Sequence, residues 1–393
     1  MFKAHALYFS LIISLLLAVM CSGLILFHQF QKKTQTRFYL KEKLIHQVES
    51  GLALATINDN DYQSDTLSYK TNRWGIYKVA SASSFNSLDT INKNVLLGSI
   101  YKNNFALYLM DQKQELTLCG KTKLKGKCFI PKAGVVRGYI AGRNYSGTQL
   151  VYGSITNSTS QLPFFSSDEI KSIYENLSYF REGTGLDSNE LINSFSSPTI
   201  IVQSPSTVNG RFKGNIILTS FNPIIISRQA KLEDIIIIAP IIIIKNGFKG
   251  NIQCFASKEI IVEESSTLLY PSCLGLFKQV KNDTLRPSIT IEGNCKIKGV
   301  IFSDQQTYDR AGTIIKILDN AKIEGEVMTT GMLELKGEVK GSVQCRKFYL
   351  NTASSVYDNF LLDAVVNQRA LNKLYYGSAI SNNELKWPIK TVY

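Results

Sequence analysis

Apolar positions change their period along this chain, and each change marks a different kind of element. From Ala6 to Phe27 no charge interrupts them: ALYFSLIISLLLAVMCSGLILF is long enough for a membrane-crossing helix, which needs roughly 20 predominantly apolar residues. A cleaved secretory signal would have a shorter apolar region ending in a small-x-small site. Met20, just before Cys21, is bulky where a lipoprotein site has a small residue. The expectation is therefore a transmembrane helix. Beyond it, Phe38, Leu44, Ile45, Val48, Leu52 and Ala55 recur at three- and four-residue steps among Lys41, Glu42, Lys43 and Glu49. That period predicts an amphipathic stalk continuing the helix past the bilayer.

After residue 56 the helical period ends, and strand candidates appear at Gly75–Ala80, Val95–Tyr101 and Phe105–Met110 between Asn- and Ser-rich turns. A short phrase then recurs, consisting of an apolar residue, a charge, glycine, a variable residue and an inward-type residue. Its glycines are Gly126, Gly214, Gly250, Gly299, Gly325 and Gly341. Glycine permits a positive-φ turn between short strands, with apolar neighbours aimed at one interior. Recurrence of this kind predicts stacked coils of roughly 16–20 residues, some carrying inserted loops.

The isoleucine runs 224–226, 235–238 and 241–244 are broken by Pro240 and by Lys231, Glu233 and Asp234, which keeps them below spanning length. Stacked ladders covered on both faces account for them better. Ser167–Phe180 reads as a short capped helix inserted in the repeat, and Tyr357–Leu374 shows helical spacing suited to a cap over open strand edges. The predicted fold is mainly β: a parallel β-solenoid (β-helix) with an N-terminal transmembrane and stalk helix and a short C-terminal cap. Its parts are residues 1–55 (helix), 56–114 (β-rich connection), 115–350 (solenoid, with the helical insertion near 167–180) and 351–393 (cap).

Composition narrows the chemistry. The formal charge of +13 invites a polyanionic partner, but its cations are scattered singly and no nucleic-acid motif accompanies them. Attraction to anionic glycan or lipid is the better reading, and nucleic acid is not an expected partner. His5, His28 and His46 all precede residue 47. The rest of the chain therefore cannot assemble imidazole acid–base catalysis, Ser-His-Asp or Cys-His nucleophiles, or His-ligated zinc. Six cysteines follow Cys21 without metal or redox spacing. Free buried thiols are favoured, with pairing of Cys119 and Cys128 left open.

Three N-terminal features carry a family likeness: Lys3-Ala4 as a very short basic leader, the long apolar helix from Ala6, and the small-residue patch Glu49-Ser50-Gly51-Leu52-Ala53-Leu54-Ala55. Residues 1–55 resemble type IV pilin-like minor subunits of the PilX type and related pseudopilins. The resemblance implies cleavage by a prepilin peptidase after Ala4, assembly contacts at Glu49, Gly51 and Leu52, pilus or secretion-system subunits as partners, and export of the bulk from the inner membrane. Two family features are missing, the glycine before the cut and the glutamate near the mature N-terminus. Residues 115–348 are more loosely similar to bactofilins, polymer-forming β-helical proteins. Against export stand Lys32, Lys33, Arg37, Lys41 and Lys43 after the span, against Lys3 and the amine before it, which by the positive-inside rule favours a cytoplasmic body.

The enzyme alternative is a β-helical polysaccharide lyase or hydrolase, with Asp304, Asp309 and Arg310 in a non-repetitive loop as its acid–base candidates. Tyr139, Tyr145, Tyr152, Tyr174, Tyr179, Tyr375 and Tyr376 are candidates for glycan stacking. The glycines of Gly138–Gly147 lack the endings of a P-loop or Rossmann phrase. The expectation is a membrane-anchored structural subunit without catalytic residues, cofactor or metal, displaying its β body for assembly or for adhesion to a glycan or other cell-surface ligand. The second alternative is a cytoplasmic-side scaffold.

Overall fold

The computed structural model describes residues 2–57, 61–100, 105–163, 184–185, 189–278, 286–305, 312–378 and 386–392. The predicted insertion helix at 167–180 and the loop residues Asp309 and Arg310 lie outside the described residues. The chain is mainly β, 54% strand, with one long N-terminal apolar helix. It divides into two compact units, residues 1–70 with 81–93 and residues 71–80 with 94–393.

In the first unit a single helix runs from Phe2 to Ile57, 56 residues, or about 84 Å at 1.5 Å per residue. Its serines and threonines do not interrupt it. Ser10, Ser14, Ser22 and Thr36 donate their hydroxyls to carbonyls three or four residues back, which satisfies the polar group inside an apolar stretch. The helix ends on a packed turn: Leu44, Val48, Leu52 and Ala55 are all buried, at the spacing of one helical face.

Most of the second unit is built from parallel pairing of one segment with a later one, while Tyr376–Gly377 and Lys386–Val392 pair antiparallel with residues 94–100. Ile297 stands opposite Ile323, and Ile323 opposite Val339. On a second face Ile224, Ile242, Ile260, Ile289, Ile315 and Leu333 form one continuous ladder, and every member is 0% exposed. The isoleucine runs are thus parallel strands: Ile235–Ile237 are buried on both sides, while Ile225, Ile241 and Ile243 alternate as half-buried positions with the buried ladder. Pro240 sits where the register with the next strand shifts, the position at which a strand tolerates a missing N–H.

Long strands take part in two faces. The first part of Lys249–Val262 pairs with Thr267–Lys278 and its second part with Ser288–Ile291. Pairing continues through Lys296–Gln305 and Ile314–Ile317 until both meet Lys322–Leu335. These six strands close a parallel barrel. Leu107–Leu109 pairs with Val343–Cys345 on one side and Cys128–Phe129 on the other. Val365–Val366 likewise lies between Glu338–Val339 and Lys123–Leu124. One level of the stack is therefore shared between segments that precede and follow most of the body.

The helix predicted over Tyr357–Leu374 is not formed. The segment makes strands Val356–Asp358, Phe360–Leu362 and Val365–Asn367 and a short 3-10 turn at Gln368–Ala370. Asn359 and Asp363 adopt φ of 58° and 56°, left-handed conformations that Asn and Asp tolerate and a helix does not. Four-residue spacing of apolar positions arose from short strands turning corners.

The glycine phrase is also corrected in detail. Gly299, Gly325 and Gly341 lie inside strands, directly opposite one another, with φ of 142°, 142° and 149°. An added Cβ at Gly325 would fall on the carbonyl oxygen of Gly299, and one at Gly341 on that of Gly325. Gly126 and Gly214 share the positive φ. Gly250 does not; its place is dictated by close approach to the Phe248 ring and the Leu232 carbonyl.

Candidate functional site

The helix presents two surfaces that differ along its length. From Leu7 to Phe30 every side chain is exposed, including Leu11, Leu15, Leu16, Leu24, Ile25 and Phe27. The span reaches a mean hydropathy of 2.6 over its most apolar stretch with none of it buried, so the helix is long and apolar enough to cross a membrane. Ala4 lies in its opening turns.

The other end is docked. Gly51 faces strands of the same unit, where an added Cβ would stand 2.9 Å from Leu67 Cδ1 and 3.3 Å from the Ala82 Cβ. Leu52 is buried beside it in sequence. Ser84 donates to Gln47 Oε1 at 2.8 Å, and Lys93 pairs with Glu49 at 3.6 Å with both side chains substantially exposed. The small-residue patch therefore lets the chain's own strands approach the helix closely.

The proposed acid–base loop offers a single described carboxylate. Asp304 accepts a hydrogen bond from Thr330 Oγ1 at 3.3 Å; burial raises its pKa, and the bonds from Thr330 and the Gln305 backbone oppose that rise. Its expected partners lie outside the described residues. The tyrosines are not brought to one surface. Tyr145 and Tyr375 are buried, with hydroxyls donated to the carbonyls of Gln149 and Gly299. Tyr376 donates its N–H to Tyr270 Oη at 3.2 Å, while Tyr139 is 65% exposed. Tyr174 and Tyr179 fall outside the described residues. A shallow groove of about 400 Å³ beside Lys113, Glu115 and Asp358 holds no nucleophile–base pair. Among the described residues no cluster of His, Cys, Asp or Glu could hold a metal.

All seven cysteines are free, Cys119 and Cys128 included. Burial raises the thiol pKa of Cys119, Cys254, Cys273 and Cys345, and pushes Cys128 up to about 12 and Cys295 to about 11. These are inert core groups, since the thiolate is the reactive form.

Sequence reasoning missed a set of polar anchors on the outer face of the body. Gln253 accepts from Ile76 N–H at 3.0 Å and donates to the Trp74 carbonyl at 3.0 Å. Trp74 Nε1 donates to the Asp234 carbonyl at 3.2 Å. The Asp234 carboxylate receives Asn251 Nδ2 at 3.0 Å and Lys390 Nζ at 2.6 Å. Trp74, Ile76, Tyr77 and Val79 thereby cover Ile217, Ile236, Phe255 and Phe302, which face outward from the strands. The acidic pair Glu233-Asp234 at the head of an isoleucine run was the available signal.

The arrangement defines a mainly β protein with a single N-terminal helix able to span a membrane and a closed parallel-stranded body. Compared with protein-family models, curated proteins and solved structures, the chain finds no match.

Proposed function

We propose that this protein is a membrane-anchored, non-enzymatic structural subunit, pilin-like or associated with a secretion apparatus. It sits in the inner membrane by its helix and displays a β-solenoid on the exported side for assembly or adhesion. The observation that carries this reading is the continuity of one helix from a wholly exposed apolar half to a half docked on its own strands. The parallel ladders support reading the body as a solenoid, each level a coil stacked on the last. Inert thiols and the lack of histidine after residue 46 support a structural role.

Protease added to intact spheroplasts tests the reading: the body is digested while the span survives. Protection of the body would place it in the cytoplasm, as the five cations between residues 32 and 43 favour, and would favour the scaffold alternative. N-terminal sequencing of the mature chain then decides the pilin-like part, with a new terminus at His5 expected.

A further inference from the structure

Two neighbouring columns of outward-facing side chains on the body treat charge differently. In one, ion pairs join adjacent levels: Lys213 with Glu233 at 3.0 Å and Lys298 with Glu324 at 2.9 Å, with Lys340 opposite Glu324. Two residues earlier in the same strands the charges are nearly all positive. Arg211 stands opposite Lys231. Lys231 and Lys249 open successive strands whose Glu233 and Asn251 are partners. Lys249 stands opposite Thr267, Thr267 opposite Lys296, Lys296 opposite Lys322, and Lys322 opposite Glu338, where the positive run ends.

Glu190 takes up Arg211 at 3.1 Å. Lys231, Lys249, Lys296 and Lys322 are all exposed, and no ion pair reaches them among the described residues. Like charges directly opposite one another destabilise a sheet, and the adjacent column demonstrates that alternation is available to this fold. The like-charge contact of Lys296 with Lys322, in a column that closes on Glu190 at one end and Glu338 at the other, thus stands as a cost without a structural return.

We propose that this column binds a linear polysaccharide carrying a carboxylate on each sugar, laid along the stacking direction with its anionic groups against the four lysine levels and a sugar spanning the Thr267 level between them. Neighbouring parallel strands are about 4.8 Å apart, so Lys231 to Lys322 covers about 19 Å over four intervals. One sugar adds a comparable length to an extended chain. Duplex DNA fits less well, since each strand presents a phosphate about every 3.4 Å of axis and winds away from a straight column. The column is also a track rather than a broad basic patch. Glu263, Glu264, Glu292 and Asp319 occupy the turns before it, Glu263 being held by Lys245 at 2.5 Å, and Glu233 and Glu324 follow it. A flexible polyanion is confined between these acids. The proposal deepens the adhesive reading above and rests on it only for where the ligand is met.

The test titrates fluorescein-labelled polygalacturonate against the purified full chain in nonionic detergent, with the methyl-esterified polymer and duplex DNA as comparators. Saturable binding of the acid form alone is expected. Lys231→Gln/Lys249→Gln/Lys296→Gln/Lys322→Gln lowers affinity about tenfold or more, whereas Lys213→Gln/Lys298→Gln changes it by less than about twofold. Removing like-charge contacts leaves the thermal midpoint unchanged or higher, so lost binding reports the site; if the fourfold variant misfolds, the two adjacent pairs are read separately. No saturable binding, an equal loss in the control variant, or equal affinity for DNA with the same dependence on the column would overturn the proposal. Because binding is read on purified protein, its failure leaves the export reading standing, and a body protected in spheroplasts would sink export without touching the binding result.

Discussion

Two regions of this chain are equally apolar and meet opposite fates. Leu16 and Leu24 on the helix are 58% and 66% exposed, whereas Ile242 and Ile260 in the body are 0% exposed. Residue type does not separate them; the destination of the backbone hydrogen bonds does. A helix closes its own bonds, so its side chains can face a solvent other than water, and lipid is the one that suits them. A parallel strand must find its partners on neighbouring strands, so the same side chains are stacked, covered and kept dry. Burial in the body follows from the need to pair, and exposure on the helix follows from its absence.

The sharpest way to break this comparison is to place one methyl group in each region. At Gly325 an added Cβ meets the Gly299 carbonyl oxygen at φ 142°, and no side chain can move aside to make room. Gly325→Ala is expected to cost about 4 kcal/mol or more, read as a lower urea midpoint. At Gly23 nothing lies within 4 Å, so Gly23→Ala leaves the unfolding transition of the body unchanged. A truncated core side chain comes next. Ile260→Ala should lose about 2–5 kcal/mol, while Leu16→Ala leaves the body intact and weakens partition into vesicles by roughly 2 kcal/mol, at about 0.8 kcal/mol per buried methylene. Equal loss of body stability from both leucine and isoleucine truncations would mean the helix is packed rather than free.

A smaller effect concerns the outer face. Burial raises the pKa of Asp234, and the Lys390 charge and hydrogen bond hold that rise in check. A carboxyl raised in the folded state binds protons more tightly there than when unfolded, so its contribution to stability falls as pH rises from the unfolded pKa through the folded one. Lys390→Met removes the opposing cation and is expected to cost about 2 kcal/mol at pH 7, less than the roughly 3–5 kcal/mol of unpairing a fully buried charge because the Lys390 side chain is 28% exposed. That loss shrinks as the pH is lowered and Asp234 takes up its proton. A loss independent of pH would show that packing of the C-terminal strand, rather than the ion pair, is what Lys390 supplies.

The parts of the fold legible in the sequence were those governed by a local rule. An uncharged run long enough to span and isoleucines too interrupted to do so each carry their constraint in adjacent residues, and the glycines were legible because their phrase repeats, although the carbonyls that exclude a Cβ lie on the neighbouring strand. What was not legible depended on partners far away in sequence. Leu107–Leu109 takes its place between residues 343–345 and 128–129, and nothing near it announces that pairing. Asn359 and Asp363 turned a helical spacing into strands because their left-handed conformations are decided by the corner they occupy. Gln253 becomes a clamp only when Trp74 and Ile76 arrive 179 and 177 residues away. Of the candidate site, the apolar helix was plain, whereas the use of the small patch at Gly51 needed Leu67 and Ala82 in place.

Gly51 yields the finest test of the comparison, because there the helix passes from free to docked. Alanine at this position gains about 1 kcal/mol of helix propensity over glycine. Against that gain stands a Cβ 2.9 Å from Leu67 Cδ1 and 3.3 Å from the Ala82 Cβ, and overpacking of this kind typically costs about 1–3 kcal/mol. The nearer contact is the far end of a flexible leucine, which can turn away, so the two effects should offset to within about 1 kcal/mol. Gly51→Leu cannot be absorbed by one rotamer and should loosen the dock, seen as faster amide exchange from Leu44 to Ala55 with the parallel body unchanged. Slow exchange retained over that stretch in the leucine variant would mean that Gly51 is not what lets the strands approach the helix.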